Sequence, residues 1–147
     1  MTRVDFYLLT EISEMGRQHY ACRLIEKAYH HQHRVYVYCD DKAQAHSIDE
    51  LLWTFRDDSF VPHNIQGEGP NAPPAVQVGF NPPQGFNDIL VNLSQRSEDF
   101  FAKFKRVIEL VPNEDNAKNL AREHYKYYRA HGFELHSHDL TKTTTTQ

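Results

Sequence analysis

Arg34-Val35-Tyr36-Val37-Tyr38-Cys39-Asp40-Asp41 is the stretch on which the fold turns. The β-branched and aromatic residues from Val35 to Tyr38 read as a strand, because such side chains pack well on a pleated surface. Asp40 or Asp41 then offers an oxygen to cap a helix, and Ala45, Ile48, Leu51 and Leu52 follow at helical spacing. Upstream, Val4 to Leu9 is an apolar run of strand length. Between the two strands, Gly16 to His31 carries Tyr20, Leu24, Ile25 and Ala28 on one helical stripe.

The alternation continues downstream. Asn71-Ala72-Pro73-Pro74 is a turn-rich stretch before a short strand at Val76 to Phe80, and Asn81-Pro82-Pro83-Gln84-Gly85 breaks structure again. Ile89 to Leu93 reads as a strand, Ser97 to Lys105 as a short helix and Val107 to Val111 as a buried strand. Asn113-Glu114-Asp115 opens a long helix that reaches about His131 and is ended by Gly132; Phe133 to His136 makes a last strand. Strands alternating with helices predict an α/β fold: a single Rossmann-like domain over residues 1–140, with a mostly parallel sheet flanked by helices and right-handed crossovers. The low-complexity segment Thr141 to Gln147 is expected to be a disordered tail.

With 147 residues, 39% hydrophobic and 24% charged, the composition suits a globular protein. No apolar run approaches the roughly 20 residues needed to span a bilayer. Met1-Thr2-Arg3-Val4-Asp5 leads into the first strand without a signal-peptide pattern, so a cytoplasmic protein with no membrane partner is expected. Cys22 and Cys39 make no disulfide framework and read as reduced thiols. A net charge of −4 and a pI near 6.2 weigh against a general nucleic-acid binder. Contact with DNA is expected to be indirect, or confined to a local basic patch.

A Rossmann-like layout raises the question of a nucleotide. The first strand-to-helix connection is Thr10-Glu11-Ile12-Ser13-Glu14-Met15-Gly16, with one glycine and two acids. Phosphate binding wants backbone N–H groups exposed by glycines, without negative charge nearby. Neither G-x-G-x-x-G nor the Walker A pattern occurs, and Pro70 removes a donor after Gly67-Glu68-Gly69. Among the ten histidines, His30, His31, His33, His136 and His138 lack partners at zinc-site spacing and read as surface residues; no metal and no cofactor is expected. His63 alone sits in an unusual setting. It keeps open a second reading, a small nucleotide- or metabolite-binding enzyme with His63 as acid or base.

That setting is Ser59-Phe60-Val61-Pro62-His63-Asn64-Ile65-Gln66-Gly67-Glu68-Gly69-Pro70, which has no helical or strand period. A connecting loop needs turn chemistry and solubility, so Phe60 and the preceding Trp53 ask for a further reason. Either the two rings tuck under the loop as a satellite cluster, or they form a partner surface.

The last helix carries a second candidate. At about 100° per residue, Ala117, Leu120, Ala121, His124 and Tyr128 fall on one buried arc. Beside it Lys118, Arg122, Tyr125 and Arg129 form another, with Lys126 just outside. This is either a solvated face favoured by the helix dipole, or a docking strip for an acidic peptide. A third use of the strip is direct nucleic-acid binding.

Several of these residues together resemble one family. Asp49-Glu50-x-Leu52-Trp53, Ser59-Phe60-Val61-Pro62-His63-Asn64 and Gly67-Glu68-Gly69-Pro70 are similar to the chi subunit of bacterial DNA polymerase III. So are Phe6-Tyr7-Leu8-Leu9, Val111-Pro112 with Glu114-Asp115, Leu120-Ala121-Arg122-Glu123, Tyr125-Lys126 and Tyr128-Arg129. The resemblance implies a non-catalytic accessory subunit of the clamp-loader assembly. It implies two partners: the psi subunit and the acidic C-terminal tail of single-stranded DNA-binding protein. By the same resemblance the tail site comprises Trp53, Lys118, Arg122, Tyr125 and Lys126. Phe60 is implied to contact psi, or a repair helicase competing for that surface. The loop between Pro70 and Asp88 and the Thr-rich tail lie outside the resemblance.

Overall fold

The computed structural model describes residues 1–142. Its elements are β1 (Arg3–Leu8), α1 (Glu14–His30), β2 (Val35–Tyr38), α2 (Lys42–Thr54), β3 (His63–Ile65), β4 (Val76–Gly79), β5 (Ile89–Asn92), β6 (Arg106–Val111), α3 (Asp115–Ala130) and β7 (Glu134–Asp139). A 3₁₀ turn over Asp99–Lys103 joins β5 to β6. The seven strands pair in parallel in the order β3-β4-β2-β5-β6-β1-β7. The expected α/β architecture holds, and the sheet is parallel throughout.

Two apolar layers explain why β2 and β5 carry no polar alternation. Val35, Val37, Ile89, Val91, Ile108 and Leu110 pack on one face beneath α1 and α2, with Ile25, Ile48 and Leu52. Tyr36, Tyr38, Leu90, Val107 and Phe6 pack on the other face against Phe101 of the 3₁₀ turn and Tyr128 of α3. Burying Ile48 or Leu52 stabilises the fold by about 1.5–3 kcal/mol each. The side of the sheet a helix covers follows from its direction of travel. The path β1-α1-β2-α2-β3 moves toward one edge and β6-α3-β7 toward the other. Right-handed crossovers running in opposite directions place their helices on opposite faces.

Local chemistry sets the helix ends. Ser13 Oγ accepts from Gly16 N at 3.0 Å and starts α1 two residues before the expected Gly16. Asp41, not Asp40, caps α2 by accepting from Gln44 N at 2.9 Å. Gly132, at φ +78°, follows α3 in the left-handed conformation that a side chain would strain.

Three expectations need correction. The segment from Ser59 to Pro70 contains strand β3, held by pairing His63 to Val76 and Ile65 to Val78 on β4. The short helix expected over Ser97 to Lys105 is the 3₁₀ turn over Asp99–Lys103. The last strand runs to Asp139 rather than His136, because its polar residues extend the ladder along the whole of β1. The tail expected over 141–147 lies outside the described residues from 143 onward. Among the described residues no helix is long and apolar enough to cross a membrane. Cys22 and Cys39 are buried and free, and burial pushes both thiols up to about 12.

Candidate functional site

A buried polar knot sets the rotation of α3. Glu109 Oε2 on β6 accepts from Asn92 Nδ2 at 2.8 Å, from His124 Nδ1 at 3.1 Å and from the Tyr128 hydroxyl. His124 Nε2 meets the Gln95 carbonyl at 3.0 Å. Burial pushes the His124 imidazole down, but the hydrogen bond and charge of Glu109 outweigh it and the net shift is upward. With His124 and Tyr128 turned inward, Arg122, Tyr125, Lys126 and Arg129 face solvent, and Lys118 is half-buried. Tyr125 is 38% exposed and its ring lies 5.7 Å from that of the buried Phe6.

The charges on this strip are unspent. Arg3, Arg17, Arg23, Arg56, Arg96 and Arg106 each pair with a carboxylate. Among the described residues Lys118, Arg122, Lys126 and Arg129 pair with none; Arg122 Nη1 donates only to Asn119 Oδ1, at 2.7 Å. The helix dipole accounts for Arg129, which lies in the last turn. It does not account for Lys118, near the positive end of the helix, where the dipole disfavours a cation.

The second surface lies at the end of α2. Trp53 is 55% exposed and Phe60 61% exposed, so neither ring tucks beneath the loop. Their centroids are 5.7 Å apart, and Trp53 lies 4.7 Å from the His63 ring. The His63 side chain is fully buried; Nδ1 meets the Val61 carbonyl at 2.6 Å, and Nε2 meets Asp49 Oδ1 at 3.2 Å. Both nitrogens are engaged by the protein, so His63 braces Trp53 and has no free position for acid–base work. Arg56 and Ser59 tie the loop to Glu26 of α1.

The structure does not bring Trp53 and Arg122 together. This corrects the expectation that Trp53 shares a pocket with Lys118, Arg122, Tyr125 and Lys126. Trp53 belongs to α2, on the face and edge of β3 and β4, whereas the other four stand on α3, over β6 and β7 on the opposite face. The opposed crossover directions are the physical reason.

A cleft of about 680 Å³ opens at the carboxyl ends of the strands, where doubly wound sheets bind ligands. Glu14, Asp40, Asp41, Glu109 and Glu114 line it, against Arg17 and the Glu109-bound His124. Arg17 is bound to Glu14 at 2.8 Å. The helix N-termini around it are filled by their own caps, Ser13, Asp41 and Glu114. A phosphate would meet carboxylates here instead of free N–H groups. Among the described residues no group of three or more His, Cys, Asp or Glu is placed to hold a metal ion.

Residues 1–136 match the family described as DNA polymerase III chi subunit, HolC. The chain belongs to the DNA polymerase III chi subunit family. It is 39% identical over 142 residues to the DNA polymerase III subunit chi of Pseudomonas aeruginosa, covering 97% of this chain and 99% of that relative. The subunit chi of Escherichia coli is 36% identical over 143 residues, with 93% and 97% covered. That of Haemophilus influenzae is 34% identical over 138 residues, with 92% and 96% covered.

Within this chi-family chain, the sequence singles out the α3 strip and Phe60 as candidates but not the two supports beneath the strip. Phe6, which floors Tyr125, reads only as a strand residue. Glu109, which locks His124 and Tyr128, is an acid inside an apolar strand, and that anomaly is the signal that points to it.

Proposed function

We propose that this chi-family chain is a non-catalytic adaptor of the DNA polymerase III clamp-loader assembly. Its α3 strip takes the acidic C-terminal tail of single-stranded DNA-binding protein. The Trp53–Phe60 surface takes the psi subunit, or a repair helicase in competition with it. The chain thereby links the replisome to coated single-stranded DNA without binding DNA itself, in a cytoplasm where both buried thiols stay reduced.

The observation that carries the reading is the set of carboxylate-free cations at Lys118, Arg122, Lys126 and Arg129 beside the apolar floor of Phe6 and Tyr125. An Asp-rich tail supplies the missing negative charge. A terminal carboxylate fits the guanidinium fork of Arg122, and an aromatic residue before it fits the floor. Calorimetric titration with an Asp-rich peptide ending in an aromatic residue tests this. Binding is expected, with marked weakening when the peptide's terminal carboxylate is amidated; equal affinity for both peptides would overturn it.

The enzyme reading predicts a nucleotide-dependent rise in melting temperature, since a ligand specific for the native state stabilises it. The acid-lined cleft and the engaged His63 favour no such rise. A shift of several degrees with any nucleotide would reverse that preference.

A further inference from the structure

Beneath α1 lies another cleft, about 500 Å³ in volume, floored by Tyr7, Ile89, Arg106 and Ile108 of β1, β5 and β6. Its polar lining inverts that of the acid-lined cleft. Arg23, Lys27 and His31 follow at four-residue intervals along α1, with Arg106 and His33 completing the wall, and no carboxylate lines the space. This occurs on a chain whose net charge is −4.

The neighbouring acids leave positive charge to spare. Asp5, two residues before Tyr7 on β1, receives Arg3 at 3.0 Å, Arg106 at 2.6 Å and His138 at 2.7 Å, three bases for one carboxylate. Glu11 sits 3.6 Å from Arg23 and Asp88 sits 3.1 Å from His33. Lys27 has no ion-pair partner among the described residues. Tyr7 Oη accepts from Arg106 Nη2 at 2.7 Å and keeps its own proton to give. The wall therefore offers Arg23, Lys27, Arg106 and the Tyr7 hydroxyl as donors, while His31 and His33 each spend Nδ1 inside the protein, on the Lys27 carbonyl and on Asp88.

The aromatic rings offer no stacking platform. Tyr7 is stacked on His138 at 4.7 Å and leans on Tyr20 at 6.4 Å, while the Arg23 guanidinium covers the Tyr20 ring at 5.3 Å. Single-stranded nucleic acid is held by bases stacked on free aromatic faces, and both rings are already engaged. The run from Arg23 to His31 spans about 12 Å of helix, which matches roughly four residues of extended chain. From this geometry we infer that the groove under α1 docks an extended Asp/Glu-rich segment of a partner protein. The site is separate from the α3 strip, on the opposite face of the sheet, and does not depend on what α3 binds.

The test is a titration of the ¹⁵N-labelled full chain, followed by amide chemical shifts, with an N-acetylated, C-amidated peptide of alternating Asp and Glu. That peptide has neither the free terminal carboxylate nor the aromatic residue that the α3 proposal requires. Shifts are expected at Tyr7, Tyr20, Lys27 and Ile108. Arg23→Glu combined with Lys27→Glu, both at exposed positions, is expected to weaken binding by about tenfold or more. Shifts confined to α3, no binding, or unchanged affinity in the double variant would overturn the proposal. So would an oligo-dT strand that perturbs the same amides at lower concentration than the peptide.

Discussion

The α3 strip and the Trp53–Phe60 surface differ in almost every physical respect. The strip is charged, set on a regular helix and fixed from below by the Glu109 knot. The α2 surface is apolar, set where a helix gives way to a three-residue edge strand, and braced by one buried imidazole. Charged strips steer a partner and lose strength in salt, whereas exposed aromatic pairs supply contact area that salt does not screen. One small domain thus presents a charged surface and an apolar one on opposite faces of one sheet, and the proposed function assigns a different partner to each.

The largest effect should come from the aromatic surface. Phe60→Ala is expected to cost roughly 2 kcal/mol or more in psi pairing, as truncated aromatic anchors do. Tail-peptide affinity should not change; a pull-down of psi by Phe60→Ala at wild-type yield would break the comparison. Trp53→Ala should behave like Phe60→Ala. A loss of tail binding in Trp53→Ala with psi pairing intact would return Trp53 to the α3 pocket.

Salt sharpens the contrast next. Raising ionic strength from 0.01 M to 0.15 M shortens the Debye length from about 30 Å to about 8 Å. Tail binding should weaken across that range while psi pairing holds. Parallel titrations in both salts would show it, and equal slopes would remove the distinction.

The smallest effects concern pH. His124 is raised above its ordinary 6.5 by Glu109, against the opposing effect of burial. Glu123 adds attraction to the same imidazole, and the Gln95 carbonyl holds its other nitrogen. A raised folded value means that this stabilisation is fully present below pH 6.5 and is lost as pH climbs through the folded value. Melting temperature should therefore fall on the alkaline side of 6.5, with a flatter profile in His124→Gln. Asp5 behaves oppositely. Burial pushes it up, but hydrogen bonds from Arg3, His138 and Arg106 prevail and hold it at about 2. Its contribution is present above 3.8 and disappears as pH falls through about 2. Asp5→Asn should remove that part of the acid limb.

The strands most legible in the sequence are those buried on both faces. Val35 to Tyr38 and Ile89 to Leu93 leave no polar alternation to misread. β3 was hidden because His63-Asn64-Ile65 has no period of its own and becomes a strand only through β4. The polar run His136-Ser137-His138-Asp139 hid the end of β7 for the same reason. The α3 strip was legible from spacing alone, since a helix fixes which residues share a face. The place of Trp53 was not, because it depends on strand order and crossover direction, and neither leaves a local trace in the chain.

Anisotropy of a labelled Asp-rich peptide with a free aromatic C-terminus, titrated against wild type, Arg122→Ala and Phe60→Ala, tests the division most directly. Arg122→Ala should lose about 1.5–3 kcal/mol, roughly tenfold to a hundredfold in affinity, the range for hydrogen bonds to charged groups. Phe60→Ala should bind as wild type does. Equal affinity for wild type and Arg122→Ala, or a loss in Phe60→Ala alone, would contradict the assignment of the tail to α3.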